Sequence, residues 1–270
     1  WAASQGAALF LFPPRQALTH LAADVKIGIM KKCWNSKAFS LVELSIVLVI
    51  LGLLVGGVRS GQSLIRAAEL RAVRAEYSRY VAATQSFRDK YFAIPGDMNN
   101  ATQFWGRLNS NADCVTNSTP ASGVTAPGAC DGNGNGIIGL AAAASQSGEI
   151  FQFWRQLATA GLIEGSYTGL AGSAGLADSN RSNSPPSKLG NAGWSTWFRG
   201  NVGDTTDYAL EYGNAYVFGA LNSGGLFAGA ALKPEEAWNI DTKLDDGKPA
   251  YGKIIARFWN NACAVADDGS

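Results

Sequence analysis

Few side chains in this sequence are placed for chemistry, and most of those are carboxylates. Glu43 lies inside an apolar run, 39–58. A charged group in hydrocarbon costs on the order of 2.5–3.5 kcal/mol on insertion scales, so such a residue marks function and demands a partner. Further on, Asp131-Gly132-Asn133-Gly134-Asn135-Gly136-Ile137 sets oxygen-bearing side chains at the first, third and fifth positions. With glycine sixth and the Ile137 carbonyl seventh, this matches the first half of a calcium-binding loop. The twelfth position is Ala142 rather than glutamate, and Glu149, seven residues later, is the candidate for the missing carboxylate. The competing reading of 131–137 is an Asn-Gly turn without metal. Asp241, Asp245 and Asp246 form a second acidic group, read here as a tight turn.

Composition narrows the function classes. The 270 residues are 47% hydrophobic and only 16% charged, which suits a globular domain joined to a membrane segment. A formal net charge of +1 makes no broad electrostatic case for nucleic acid. Met30 precedes Lys31 and Lys32, and Lys37 precedes the apolar run, so 1–38 is expected to be a leader, with 1–29 upstream of the native start. His20, the one histidine, falls in that leader. A chain cut before Phe39 then lacks a Ser-His or Cys-His pair and any histidine-bearing metal site. No residue set supports catalysis, and the protein is read as a non-enzyme.

The elements that must position Glu43 are helical. The apolar run of 20 residues would extend roughly 30 Å as a helix, one hydrocarbon core. No small-x-small site follows it, so the span is expected to be retained rather than cleaved as a secretory signal. Beyond it, Val73, Tyr77, Tyr80, Thr84, Phe87 and Tyr91 recur at three- and four-residue steps, the pattern of an amphipathic helix over 64–91 ended by Pro95-Gly96. Joined, the two make one helix about 80 Å long. Gly52 and Gly56 form a G-x-x-x-G, as do Gly57 and Gly61, a spacing that permits close helix–helix approach or reflects ordinary glycine enrichment in membrane helices. Basic residues flank the span on both sides, so charge counting alone does not orient it.

The string Lys37-Ala38-Phe39-Ser40-Leu41-Val42-Glu43-Leu44-Ser45-Ile46-Val47-Leu48-Val49-Ile50-Leu51-Gly52 resembles the class III signal of type IV pilins and type II secretion pseudopilins. The likeness is specific over 37–61 and softer at 87–97 and 157–163. It implies a prepilin peptidase cut between Ala38 and Phe39, where most family members carry glycine before the cut, and N-methylation of Phe39 by the same peptidase/N-methyltransferase. It also implies that Glu43, fifth in the mature chain, pairs with the Phe39 amine of a neighbouring subunit. An ion pair in lipid costs far less than either charge alone. The implied partners are other pilin or pseudopilin subunits and an inner-membrane assembly platform with a cytoplasmic ATPase. The implied location is the bacterial inner membrane, single pass, with the head in the periplasm. The alternative from another class is a membrane-tethered binding or adhesin domain that never polymerises.

The expected fold is α+β: a pilin-like ladle whose long N-terminal helix packs on a small antiparallel sheet. On this reading 39–60 is the transmembrane and polymerisation helix, with Glu43, Gly52 and Gly56 at its assembly face. Residues 61–270 form the head, with an amphipathic helix over 61–93. Within the head the patterns predict a short helix at 151–160 ended by Gly161, a flexible Gly/Ser/Asn-rich loop over 165–205, and a β-hairpin of 208–212 and 215–221 turning at Gly213-Asn214. They also predict a helical turn opened by Pro234 and a strand over 251–259. Cys114 and Cys130 flank a loop that a disulfide would close, worth about 3 kcal/mol in the chain-entropy picture and suited to an oxidising periplasm. Two free thiols are the alternative, and Cys263 is left without an evident partner.

Overall fold

The computed structural model describes residues 40–108, 128–140, 148–202 and 210–256. The chain divides into two units, Trp1–Leu53 and Leu54–Ser270. One helix, α1, occupies Leu41–Tyr91, 51 residues without a break at any of its glycines. Ser40 starts it: its hydroxyl accepts from the Val42 N–H at 3.3 Å and its carbonyl from Leu44. Glu43 in the first turn suits the positive end of the helix dipole. From 41 to 58 every large aliphatic side chain is between 48% and 86% exposed.

In the second unit α1 carries a buried stripe of Val73, Glu76, Tyr80, Ala83 and Phe87. The steps are three and four residues, which keep one face of a 3.6-residue helix toward the core. Tyr77, Thr84 and Tyr91 flank the stripe half-buried. Aromatic rings fill the space it faces. Tyr80 meets Trp154 edge-on at 5.1 Å and Trp194 at 5.6 Å, and Trp194 lies 4.8 Å from Phe218. Helix α1 ends at Tyr91 with Phe92 in the left-handed region, φ 53°.

Short elements complete the unit: α2 (Ala101–Trp105), α3 (Glu149–Thr159), β1 (Ala192–Phe198), β2 (Asn201–Val202), β3 (Leu210–Glu211), β4 (Asn214–Ala220) and α4 (Pro234–Leu244). The α+β class read from the sequence is what the structure shows. Helix α3 starts two residues earlier than the pattern predicts and stops before Gly161, whose φ of 73° suits only glycine at low cost. Pro234 opens α4, and the Glu236 carboxylate accepts from the Lys233 N–H at 2.9 Å. The same carboxylate takes a bidentate Arg66 guanidinium, both contacts 2.6 Å, which holds the Glu236 carboxyl down to about 2.

Three expectations are corrected. The hairpin does not turn at Gly213-Asn214. Strand β4 pairs antiparallel with β1 from Ala192↔Ala220 to Phe198↔Asn214, and β3 pairs with β2 in the same running register, Asn201↔Glu211. The Arg199 N–H to Gly213 carbonyl and Tyr212 N–H to Gly200 carbonyl bonds bridge the two ladders. Asn214 is not a turn residue; its side chain accepts from the Ile138 N–H at 2.8 Å and donates to the Gly136 carbonyl at 2.7 Å.

The second correction concerns 165–205. Its polar composition reads as surface, yet it contains β1 and buries Ser179, Asn183, Ser184 and Leu189. The small polar groups satisfy backbone inside the fold: the Asn183 amide donates to the Leu170 and Asp178 carbonyls, each at 2.9 Å. The third is the strand over 251–259, of which 251–256 is described and is not extended ladder. The Asp245 carboxylate takes the Lys253 and Ile254 N–H groups that a strand would need for pairing.

Candidate functional site

Two places hold the residues singled out by sequence. The first is the start of α1. Ala38 and Phe39 lie outside the described residues. Glu43 is exposed, and among the described residues it makes no ion pair. A Cβ built on Gly52 or Gly56 meets nothing within 4 Å, so neither glycine is used for packing within the chain. Among the described residues α1 is the one helix long and apolar enough to cross a membrane, and none of its apolar window is buried. A surface this apolar requires lipid or other helices, and its carboxylate requires a cation.

The second place is the loop 131–139. Both oxygens of Asp131 accept from Thr102, at 2.7 Å from its N–H and 2.9 Å from its hydroxyl, and so hold the start of α2. The Asn133 and Asn135 side-chain carbonyls accept from backbone N–H groups two residues on, at 2.9 and 2.8 Å. Glu149 accepts from Asn133 at 3.0 Å and Gly139 at 2.8 Å. Burial pushes the Glu149 carboxyl above its ordinary range, against the downward pull of those two N–H groups. No side-chain function falls to Ile137; its N–H caps the Asn135 turn.

The centre of the loop belongs to a residue the sequence reading passed over. Asp97, 4% exposed, accepts from Gly134 at 2.7 Å, Asn135 at 3.1 Å and Gly136 at 2.7 Å. Gly96 before it has φ 86°, and a Cβ there would run into the Glu149 carbonyl. Five loop amides therefore point inward at the two carboxylates, Asp97 and Glu149. A calcium cage needs oxygens turned inward. In the structure the side-chain oxygens of Asp131, Asn133, Asn135 and Glu149 accept N–H or hydroxyl groups of the protein, Ile137 gives its N–H to Asn135, and the loop amides cradle the Asp97 and Glu149 carboxylates.

One further carboxylate has a role that no motif announces. Glu76 sits in the middle of the buried stripe and accepts from the Trp194 indole N–H at 2.8 Å and the Lys188 N–H at 3.0 Å. Its position on the 73–87 periodicity was the available signal. Cys130 is buried beside Leu108 and Leu170 and is disulfide-bonded, while Cys114 and Cys263 lie outside the described residues.

These features define a class: an α+β protein whose N-terminal helix begins as an open apolar segment with one acidic residue in its first turn. Residues 35–58 match the family described as Prokaryotic N-terminal methylation motif. The chain thus carries the prepilin-type cleavage and methylation signature of type IV pilins and pseudopilins, a structural rather than enzymatic group. That motif implies processing by prepilin peptidase and association with other pilin subunits. Neither the curated proteins nor the solved structures compared with the chain include a match.

Proposed function

We propose that the protein is a prepilin-like structural subunit. Prepilin peptidase cuts between Ala38 and Phe39, the new amine is methylated, and the helix assembles into a type II secretion pseudopilus or a type IV pilus-like filament. Before assembly the chain is a single-pass protein of the inner membrane with its head in the periplasm. A membrane platform and a cytoplasmic ATPase supply the work, and Glu43, Gly52 and Gly56 form the contact face. The observation that carries this reading is the methylation motif running directly into a helix whose apolar side chains are open from 41 to 58. Intact-mass and N-terminal peptide analysis of the protein from its native membrane is expected to find Phe39 first and one methyl group heavier. A mature chain starting elsewhere overturns the proposal.

We also propose that Cys130 pairs with Cys114 across the intervening loop. Cys114→Ser is then expected to expose one new maleimide-reactive thiol under non-reducing denaturation, and to lower unfolding free energy by about 3 kcal/mol. Absence of a newly reactive Cys130 would assign its disulfide to another cysteine.

A further inference from the structure

The two Asn-Gly pairs of the sequence, Asn133-Gly134 and Asn135-Gly136, lie side by side in the loop over Asp97. Asn-Gly is the dipeptide in which an asparagine loses its amide most readily. The glycine nitrogen sheds its proton and attacks the side-chain carbonyl carbon; a C–N bond forms, ammonia leaves, and a five-membered succinimide remains. Water then opens the ring at one carbonyl or the other, giving aspartate or isoaspartate. Glycine favours the attack because no Cβ stands in its way and its backbone turns freely. All four residues are exposed, so water for the second step is at hand.

What the loop withholds is the nucleophile. The Gly134 N–H donates to Asp97 Oδ1 at 2.7 Å and to the Asp97 backbone carbonyl at 3.0 Å. The Gly136 N–H donates to Asp97 Oδ2 at 2.7 Å. One buried carboxylate, 4% exposed, thus holds both attacking nitrogens by charge-assisted bonds. Each nitrogen must lose its proton to attack, and the amide anion left behind would face the Asp97 charge at hydrogen-bond distance, where like charges repel. The electrophiles are held too. Asn133 Oδ1 accepts from the Asn135 N–H at 2.9 Å, and Asn135 Oδ1 from the Ile137 N–H at 2.8 Å. Each side chain is tied to the nitrogen two residues on and not to the one beside it.

We propose that Asn133 and Asn135 are latent deamidation sites and that the Asp97 carboxylate keeps them closed. Attack then waits on a local opening of the loop that parts the glycines from Asp97. The conversion is one-way. Isoaspartate at 133 or 135 routes the chain through the side-chain carbon and adds one backbone atom to a loop whose three amides converge on a single carboxylate. The loop also holds Asn214, the first residue of β4, through the Gly136 carbonyl at 2.7 Å and the Ile138 N–H at 2.8 Å. Deamidation therefore loosens the start of that strand along with the loop. The inference rests on geometry within the second unit and stands whether or not the chain forms a filament.

The test is incubation of the full-length protein in detergent at mildly alkaline pH, with amide loss and isoaspartate at each asparagine followed by peptide mass analysis. The native protein is expected to keep both amides long after the same chain, unfolded in denaturant, has lost them. In Asp97→Ala the Gly136 N–H loses its acceptor, and Asn135 is expected to deamidate roughly thirtyfold faster than in the unaltered protein, the fold-change that corresponds to about 2 kcal/mol. Asn133 is expected to accelerate less, because Gly134 keeps the Asp97 backbone carbonyl. Asp97→Asn, the milder change, is expected to give a rise of about fivefold at Asn135. Unchanged hydrogen exchange in α3 shows that either variant is folded. Asp131→Ala, which releases Thr102 and touches neither glycine, is expected to leave both rates as they are. Three results overturn the assignment: native protein that loses its amides as fast as the unfolded chain, folded Asp97 variants that deamidate no faster or more slowly (the carboxylate then acting as a base), or an Asp131→Ala protein as fast as Asp97→Ala.

Discussion

Glu43→Ala is expected to remove the protein from the filament and leave it in the membrane. The substitution takes an uncompensated charge out of the apolar segment, so insertion becomes easier by roughly 2–3 kcal/mol. Assembly loses the anion that would neutralise a neighbour's Phe39 amine. That amine, once buried among helices without a counter-charge, costs several kcal/mol. A loss of 3 kcal/mol per contact lowers incorporation more than a hundredfold. Sheared-filament and membrane fractions, blotted for the protein, measure both effects. Processing at Phe39 should persist, which separates an assembly defect from a failure of cleavage. Glu43→Ala protein found in filaments at the normal level would remove the carboxylate from the mechanism and favour a tethered head that never polymerises.

The second large effect is expected at Asp97. Asp97→Ala takes from the Gly136 N–H its acceptor, and from the Gly134 and Asn135 N–H groups one of two, since these also reach the Asp97 backbone carbonyl and the Asn133 side chain. A donor that loses a charged acceptor costs about 1–3 kcal/mol where water cannot replace it. Because Gly134, Asn135 and Gly136 are exposed and can turn to water, the expected net loss is about 2 kcal/mol in denaturant unfolding. Asp97→Asn keeps one carbonyl oxygen and should cost about half as much. Hydrogen exchange at the three amides should accelerate before that of α3. A loss under 1 kcal/mol would mean that the loop holds its shape without the cradle.

The open segment of α1 was legible because its signal is local. An unbroken apolar run with one acid near its start survives any packing of the remainder, and the 73–87 stripe follows from the helical repeat alone. The head was harder to read. Gly213-Asn214 carries strong turn chemistry, yet register with β1 overrode it, and Asn214 was drawn into bonds with 136–138. The segment 165–198 was misjudged because serine and asparagine, usually surface residues, here satisfy buried carbonyls. In 131–137 the oxygens are taken up by hydrogen bonds to Thr102 and to the loop's own amides, which their spacing could not announce, since spacing carries no information on whether a side chain faces into its loop or away from it.

By itself, then, the sequence determined the prepilin-type signal, the α+β class, the apolar helix and its lone acid, because each depends on residue type and short-range periodicity. The tertiary structure decided which carboxylates have partners. Asp97 and Glu149 gained theirs from backbone amides of the 131–139 loop, Glu76 from an indole more than a hundred residues away, and Glu236 from Arg66. Asp241 alone among these kept a buried oxygen without a donor. Partnership of a charge is a matter of distance in space, and chain separation of that order leaves it unwritten in any local pattern.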